Sequence, residues 1–272
     1  MVEVCVLIGN ALIVTYELLF LKIGESMNAR HARGITLLVS LLVFAMSGCT
    51  GGGGDSTTTP PSTSLGTAAG VWTGTVNTNR TETGVVLSDG SYWFIYTVQN
   101  NPSLIGGFIQ GSGTSSNGVF TSSNARDFNF EGLGVLSASV NGSYFEKRSL
   151  NGSVTYPVLN QTTTFASTYD AAYEQTPSVA TVAATYSGPG ADTTGSRESA
   201  NLTVSSSGVI SGQTSGGCRF SGTMTPKSTG NAYAVSATFA ATGCRAPSMT
   251  ITGLGYYKSD TRRLYVGLTD SG

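Results

Sequence analysis

An eleven-residue pattern that occurs twice constrains the fold of this chain more than any other feature. Residues 64–74 read SLGTAAGVWTG and residues 178–188 read SVATVAATYSG, a constant offset of 114 positions with Ser, Thr, Ala and Gly identical. Trp72 and Tyr186 hold the same place in the two copies. We therefore expect a duplicated domain, in which both aromatic side chains belong to the core.

Turn residues divide each copy into short strands. Ser88-Asp89-Gly90 and Ser206-Ser207-Gly208 each lie between strand-like runs and predict hairpin turns. Many short strands at close spacing are typical of sandwiches and closed barrels, and closure removes exposed edges. We predict an all-β fold: two tandem antiparallel barrel or sandwich domains, residues 64–177 and 178–272, of about eight strands each. Residues 178–184 are expected to form one helical turn at a barrel end.

Two further expectations concern the strands. Asn141-Gly142 predicts a tight turn, because both central residues of a type I′ turn need positive φ. The second domain is shorter than the first. Either its loops are shorter, or it has lost a closing strand. The loss of a strand would leave an open edge.

An aromatic strand is predicted at residues 92–98, YWFIYTV. Side chains alternate between the two faces of a strand, so Phe94 and Tyr96 share one face while Trp93 and Ile95 point to the other. One face fills the barrel. The second face is either covered by the other domain or exposed as an apolar patch. Trp93 and Ile95 are therefore the candidate binding residues, for a protein or a glycan.

A secretory signal is predicted before the repeats. Basic Arg30 and Arg33 precede an apolar run and then small residues, the order of such a signal. The run has about 12 residues, whereas a membrane-spanning helix needs about 20. Ser47-Gly48-Cys49 resembles a bacterial lipobox, with Met46 in place of the commoner leucine. The resemblance implies cleavage before Cys49 and attachment of lipid to this cysteine.

The position of the lipobox divides the N-terminal part of the chain. Met27 begins MNARHARG, a natural basic region for the signal, so residues 1–26 are expected to be a mis-assigned extension. Residues 27–48 are the predicted signal peptide. Residues 49–63 are rich in Gly, Ser, Thr and Pro and predict a flexible tether.

The cysteines agree with export. Cys5 lies in the extension and Cys49 takes the lipid, which leaves Cys218 and Cys244 as an even pair. In an oxidising compartment we expect these two to form a disulfide, with two buried thiols as the alternative. Such a bridge stabilises a domain by about 3 kcal/mol.

Several kinds of chemistry are not predicted. The only histidine, His31, belongs to the signal, which excludes His-dependent nucleophile systems from the mature domains. The net charge of −1 offers no basic surplus for nucleic acid. Residues 127–131 faintly resemble a calcium loop, and with Asp192 and Glu198 they provide carboxylate pairs, but their setting fits neither a calcium site nor a glycosidase. We predict no catalytic residue, no metal ligand and no cofactor.

The lipobox, the tether and the duplicated β-domain together resemble Gram-negative outer-membrane lipoproteins. Residues 217–247 look like a module that recurs in that class. The architecture is similar to the lipocalin-like barrels of factor H-binding protein and transferrin-binding protein B, and no binding residue carries over. Thr50 after the lipid-bearing cysteine implies the outer membrane. The expected partners are the membrane, through the lipid, and a protein or glycan. The expected role is non-catalytic binding, with lysozyme inhibition or a purely structural role as alternatives.

Overall fold

The computed structural model describes the backbone of Val4–Gly9, a strand that we call β1, and residues 66–270. The predicted signal, Cys49 and the tether lie outside the described residues. The described chain consists mainly of strands that form two sheets, each curled into a barrel. The prediction of an all-β fold with two tandem barrel domains is therefore confirmed. Within this part of the chain, no helix has the length and apolar character needed to cross a membrane.

Barrel 1 is built from nine strands. They are β2 (Gly70–Val76), β3 (Arg80–Val86), β4 (Ser91–Val98), β5 (Asn101–Ser112), β6 (Thr114–Ser116), β7 (Val119–Asn129), β8 (Gly134–Phe145), β9 (Ser149–Tyr156) and β10 (Gln161–Asp170). The pairing order is β5-β4-β3-β2-β10-β9-β8-β7, and a further pairing of β5 with β7 closes the ring. The short β6 pairs only with β7 among the described strands. Every pair in barrel 1 is antiparallel.

Barrel 2 follows after a single helical turn, α1 (Val179–Val182). Its strands are β11 (Ala184–Asp192), β12 (Arg197–Val204), β13 (Val209–Thr214), β14 (Arg219–Pro226), β15 (Tyr233–Phe239), β16 (Thr250–Lys258) and β17 (Arg263–Thr269). These seven strands form an antiparallel meander. The eighth place, between β17 and β11, is held by β1, which pairs with both neighbours in parallel.

The predicted helical turn is confirmed, and it caps barrel 2. The Ser178 side chain accepts a hydrogen bond from the Thr181 amide, a typical N-cap contact. Val182, at the end of the turn, is fully buried in the core of barrel 2.

The positions that the sequence match aligns have the same structural role in the two barrels. Trp72 Nε1 donates to the Ala68 carbonyl at 2.9 Å, and the Tyr186 hydroxyl donates to the Val182 carbonyl at 2.7 Å. In both cases the acceptor lies four residues before the aromatic residue. Trp72 and Tyr186 are buried, as predicted. Each aromatic residue lies near the start of the first strand of its meander, and its hydrogen bond joins its side chain to the segment that leads into that strand.

Both predicted hairpin turns are confirmed. Gly90 and Gly208 have positive φ values of 83° and 81°, which glycine adopts without steric cost. The Gly90 amide donates to the Leu87 carbonyl at 2.9 Å, and the Gly208 amide donates to the Ser205 carbonyl at 3.0 Å. The turns therefore join β3 to β4 and β12 to β13.

The turn predicted at Asn141-Gly142 is wrong, because these residues lie within the continuous strand β8. Gly142 pairs with Phe120 on one side and with Gly152 on the other. A Cβ atom at Gly152 would lie 2.6 Å from the Gly142 Cα atom. The glycines allow two backbones to approach closely, which is the other common reason for glycine in a strand.

Across residues 66–270, buried apolar side chains form three cores: one inside each barrel and one between the barrels. Trp93 and Ile95 belong to the third, where they pack with Tyr256 and Tyr265 of barrel 2. Only 1% of Trp93 and 2% of Ile95 is exposed. The exposed binding patch predicted at these residues is therefore wrong, because barrel 2 covers that face of β4.

The predicted disulfide between Cys218 and Cys244 is present, with the two Cα atoms 4.5 Å apart. It joins the residue before β14 to the loop after β15. The bridge therefore closes one end of barrel 2.

Candidate functional site

Barrel 1 encloses a cavity of about 160 Å³, whereas the interior of barrel 2 leaves only about 10 Å³. The space in barrel 2 is lined by apolar side chains such as Ile210, Phe220 and Phe239. The cavity in barrel 1 is lined by both apolar and polar side chains, and its polar members are Thr78, Arg80, Glu82, Tyr96, Asp127, Asn129, Tyr156, Gln161 and Thr163. Two barrels with the same meander order thus differ in whether side chains fill them. The cavity of barrel 1 is the candidate functional site.

Asp127 is the most buried carboxylate of the cavity, with 3% of the residue exposed. It lies on β7, where it faces inward while the next residue, Phe128, packs between the barrels. The Tyr96 hydroxyl donates to Asp127 Oδ1 at 2.8 Å, and the Tyr156 hydroxyl donates to Oδ2 at 2.9 Å. Asn129 Nδ2 in turn donates to the Tyr96 hydroxyl at 3.2 Å. The carboxylate is therefore fixed by two donors, from β4 and β9, and Asn129 of its own strand positions one of them.

Burial controls the protonation of this cluster. Loss of solvation raises the pKa of Asp127 to about 6, although the two tyrosine donors partly counteract the effect. Burial and the neighbouring carboxylate also raise the pKa of Tyr96 and of Tyr156. Both tyrosines therefore stay protonated donors while Asp127 changes charge near neutral pH.

Glu82 is a second buried carboxylate on the wall of the cavity, with 9% of the residue exposed. It lies on β3 and accepts a hydrogen bond from the Ser167 hydroxyl of β10. Burial raises the pKa of Glu82 to about 7, and the Ser167 hydrogen bond lowers it by less. Glu82 also contacts the apolar floor described below, so it lies between the polar and apolar parts of the cavity.

Arg80 is the cation of the cavity wall, and its charge is already compensated. One guanidinium nitrogen lies 2.5 Å from Glu131 Oε2 and donates to the Thr97 carbonyl at 2.9 Å. The guanidinium carbon lies 5.6 Å from the centre of the Tyr96 ring, within the range of a cation–π contact. Because Glu131 neutralises Arg80, the charges of Asp127 and Glu82 make the site acidic when both are ionised.

The floor of the cavity is apolar. A smaller space of about 30 Å³ lies next to the main cavity and shares Glu82, Phe94, Ile109, Val154 and Phe165 with it. Tyr92, Phe120, Val140 and Leu150 complete its lining. The cavity therefore combines an apolar floor with a wall of two carboxyl groups and two phenols.

The other carboxylates that the sequence offered do not converge on this cavity. Asp192 lies 3.2 Å from the Arg245 guanidinium in barrel 2, and Glu198 accepts from the Gly216 amide at 3.1 Å. Across residues 66–270, no three His, Cys, Asp or Glu side chains are grouped so that they could hold a metal ion. Residues 127–131, which faintly resemble a calcium loop, divide their side chains between the tyrosine cluster and Arg80.

The sequence indicated part of this site. Alternation along β4 predicted that Phe94 and Tyr96 face the interior of the barrel, and both line the cavity. Nothing in the sequence marked Glu82 and Tyr156 as cavity residues. A polar residue at every second position of a strand is as typical of the solvent face as of a polar interior. Only the closure of the barrel brings β3, β7 and β9 around one space.

Comparison with protein-family models, with curated proteins and with solved structures finds no match for this chain. The likeness to lipocalin-like surface lipoproteins therefore stays a prediction.

Proposed function

We propose that this protein is a non-catalytic, lipid-anchored protein of the bacterial envelope, and that barrel 1 binds a small molecule with an apolar body and a protonated amine. The observation that carries the proposal is the pair of buried carboxylates, Asp127 and Glu82, on the wall of the cavity in barrel 1. Buried charges are costly unless they are paired, so an ionised pair at this place favours a cationic guest.

The apolar floor supports the second half of the ligand's chemistry. Phe94, Ile109 and Phe165 line a space into which an alkyl chain or a ring fits, with the amine directed toward the carboxylates. Pockets of this kind bind through apolar burial and take their specificity from a few placed polar groups. Arg80 does not oppose a cation, because its own charge is paired with Glu131.

The location in the envelope is supported by the sequence alone. The lipobox-like Ser47-Gly48-Cys49 supplies the anchor, and residues 49–63 supply a tether that holds the barrels away from the membrane. Lysozyme inhibition and a purely structural role stay alternatives without an observation that favours them.

Calorimetric titration with three matched probes tests the proposal. We expect n-hexylamine to bind at pH 8, n-hexanol to bind more weakly, and hexanoate not to bind, since only the amine pairs with the carboxylates. In Asp127→Asn and Glu82→Gln we expect the affinity for n-hexylamine to fall at least about tenfold, equivalent to about 1.4 kcal/mol. The matched control is Asp260→Asn, in a carboxylate of barrel 2 whose side chain is 65% exposed. Equal binding of amine and alcohol, or equal losses in the control, would contradict the proposal.

A further inference from the structure

A short loop at one end of barrel 1, residues 130–133, joins β7 to β8. Leu133 of this loop lines the cavity, and Glu131 forms the ion pair with Arg80 on the cavity wall. The two charged side chains are only 20% and 26% exposed, so solvent screens this pair less than it screens an exposed ion pair. The loop therefore brings a third carboxylate to the edge of the cavity.

Arg80 lies close enough to Asp127 to act on its charge. The positive charge of Arg80 lowers the pKa of Asp127, and the negative charge of Glu131 raises it, although burial has the largest effect. Arg80 therefore has two acidic neighbours, and in the structure it forms its ion pair with Glu131. The carboxylate that Arg80 neutralises decides whether Asp127 stays available to a cation.

Asn129 joins the 130–133 loop to the tyrosine cluster of the cavity. Its Oδ1 atom accepts hydrogen bonds from the Glu131 amide at 2.9 Å and from the Leu133 amide at 3.1 Å. Its Nδ2 atom donates to the Tyr96 hydroxyl, which in turn donates to Asp127. One side chain thus fixes both the backbone of the loop and a phenol of the cavity, so Glu131 has a defined place relative to Asp127.

Barrel 2 contacts the same loop. Arg197, at the start of β12, donates from Nη1 to the Ile105 carbonyl at 2.6 Å and from Nη2 to the Phe130 carbonyl at 3.4 Å. Phe130 directly precedes Glu131 in the chain, and its ring is buried in the core between the barrels. A Cβ atom at Gly195, in the turn before β12, would lie 3.7 Å from the Phe130 carbonyl oxygen. The hairpin between β11 and β12 therefore lies against the loop that carries Glu131.

We propose that Glu131 sets the charge preference of the cavity in barrel 1, and that Arg197 of barrel 2 is the positioning residue that holds Glu131 against Arg80. The inference rests on the proposed function, because the preference selects a cationic guest. With Glu131 in place, Arg80 is neutralised and Asp127 stays available to an amine. Without Glu131, Arg80 pairs with Asp127 or with an anionic guest. Barrel 2, whose own interior is filled by side chains, thereby acts on the ligand specificity of barrel 1.

Calorimetric titration of Glu131→Gln in the full chain tests the charge preference. We expect this variant to bind n-hexylamine at least about tenfold more weakly than the parent protein at pH 8, because Arg80 then competes for Asp127. The affinity for n-hexanol should stay the same, since the apolar floor is intact. The matched control is Glu146→Gln, in an exposed glutamate of barrel 1. Equal affinities of Glu131→Gln and the parent protein for the amine would overturn the proposal.

Hexanoate tests the same role without the amine. In Asp127→Asn, Glu131 still neutralises Arg80, and hexanoate should not bind. In Asp127→Asn/Glu131→Gln, Arg80 is free to pair with a carboxylate, and hexanoate should bind at least about tenfold more tightly than to Asp127→Asn. The titration is made at pH 6, because the pKa of Glu82 is raised to about 7 and its carboxyl group is then mostly neutral. No gain of hexanoate binding in the double variant would overturn the role of Glu131.

Arg197→Ala tests the contribution of barrel 2. This variant should bind n-hexylamine at least about threefold more weakly and n-hexanol as the parent protein does, whereas a general loss of structure would weaken both. In the Glu131→Gln background, Arg197→Ala should have no further effect, because Arg197 acts through Glu131. The matched control is Arg219→Ala, in an exposed arginine at the start of β14. Additive losses, or equal losses for amine and alcohol, would overturn the positioning role.

The failure of this inference can be told apart from the failure of the proposed function. A parent protein that does not bind n-hexylamine would remove the proposed function, and the hexanoate titration would still decide the role of Glu131. Arg197→Ala is then measured with hexanoate in the Asp127→Asn background, where we expect it to raise the affinity. An unchanged affinity there would overturn the role of Arg197.

Discussion

Trp93 of barrel 1 lies directly against Gly267 of barrel 2: a Cβ atom at Gly267 would lie 2.2 Å from Trp93 Nε1. All three of the nearest atoms to that position belong to the Trp93 side chain. The absence of a side chain at Gly267 thus makes room for the largest residue of the inter-barrel core. The contact explains why an aromatic residue that points away from its own barrel is buried.

This contact predicts a strong coupling between the two positions. Gly267→Ala should lower the free energy of unfolding by about 1–3 kcal/mol, because the methyl group overlaps Trp93. In the Trp93→Ala background, Gly267→Ala should lower the free energy of unfolding by much less. Urea unfolding of the two single variants and the double variant gives the coupling energy. Additive effects would show that the overlap is relieved elsewhere.

Trp93→Ala alone should be severely destabilising. Truncation of a buried tryptophan leaves a cavity, and we expect a loss of about 3–5 kcal/mol in the free energy of unfolding. The control is Val209→Ala on β13, where the residue is 54% exposed and the expected change is within about 0.5 kcal/mol. Thermal unfolding of both variants provides the comparison, and a similar Tm for the two would contradict the inter-barrel core.

The stability of the protein should fall as pH rises through neutrality. Burial raises the pKa of Glu82 to about 7 and of Asp127 to about 6, above their values of 4.5 and 3.8 without the fold. Between about pH 4 and 7 the folded state therefore binds more protons than the unfolded state, so stability declines with pH in this window. Glu82→Gln should reduce the decline by about 2 kcal/mol. Urea unfolding of both proteins at pH 5 and pH 8 measures this decline in the free energy of unfolding. An equal decline in Glu82→Gln and in the parent protein would contradict a buried Glu82.

Ligand binding should show the opposite pH dependence. The amine pairs with ionised carboxylates, so the affinity for n-hexylamine should be lower at pH 5 than at pH 8, whereas the weaker binding of n-hexanol should change little. Titrations at the two pH values give the ratio. A matching pH dependence for both probes would assign the change to a conformational effect and not to charge pairing.

Loss of the disulfide should weaken barrel 2. The double variant Cys218→Ser/Cys244→Ser removes the link between the start of β14 and the loop after β15, and we expect a loss of about 3 kcal/mol. Chemical denaturation of the variant and of the reduced parent protein should agree. A parent protein that is equally stable with and without reductant would contradict this value.

The sequence predicted the features that depend on local chemistry. The two hairpin turns, the helical turn and the buried Trp72 follow from turn residues and from the repeat. The turn predicted at Asn141-Gly142 is wrong because glycine has two uses in β-structure: in turns and where two backbones approach closely. The close approach to Gly152 depends on a neighbouring strand that the local sequence does not specify.

The cavity could be predicted only in part, because it depends on contacts between distant residues. Asp127 and Tyr156 are 29 positions apart, and Asp127 and Tyr96 are 31 positions apart. Their polar side chains have the alternation of a solvent-facing strand. The pairing of residues 4–9 was not predicted for the same reason, since their neighbours β11 and β17 lie at the other end of the chain.

The most direct test of the central claim is an NMR titration of the isotope-labelled protein with n-hexylamine. We expect saturable shifts at the amides of β3, β4 and β7 that surround Glu82, Tyr96 and Asp127, and little change in β12–β15 of barrel 2. Shifts confined to barrel 2, or no saturable shift at millimolar amine, would contradict the assignment of the binding site to barrel 1.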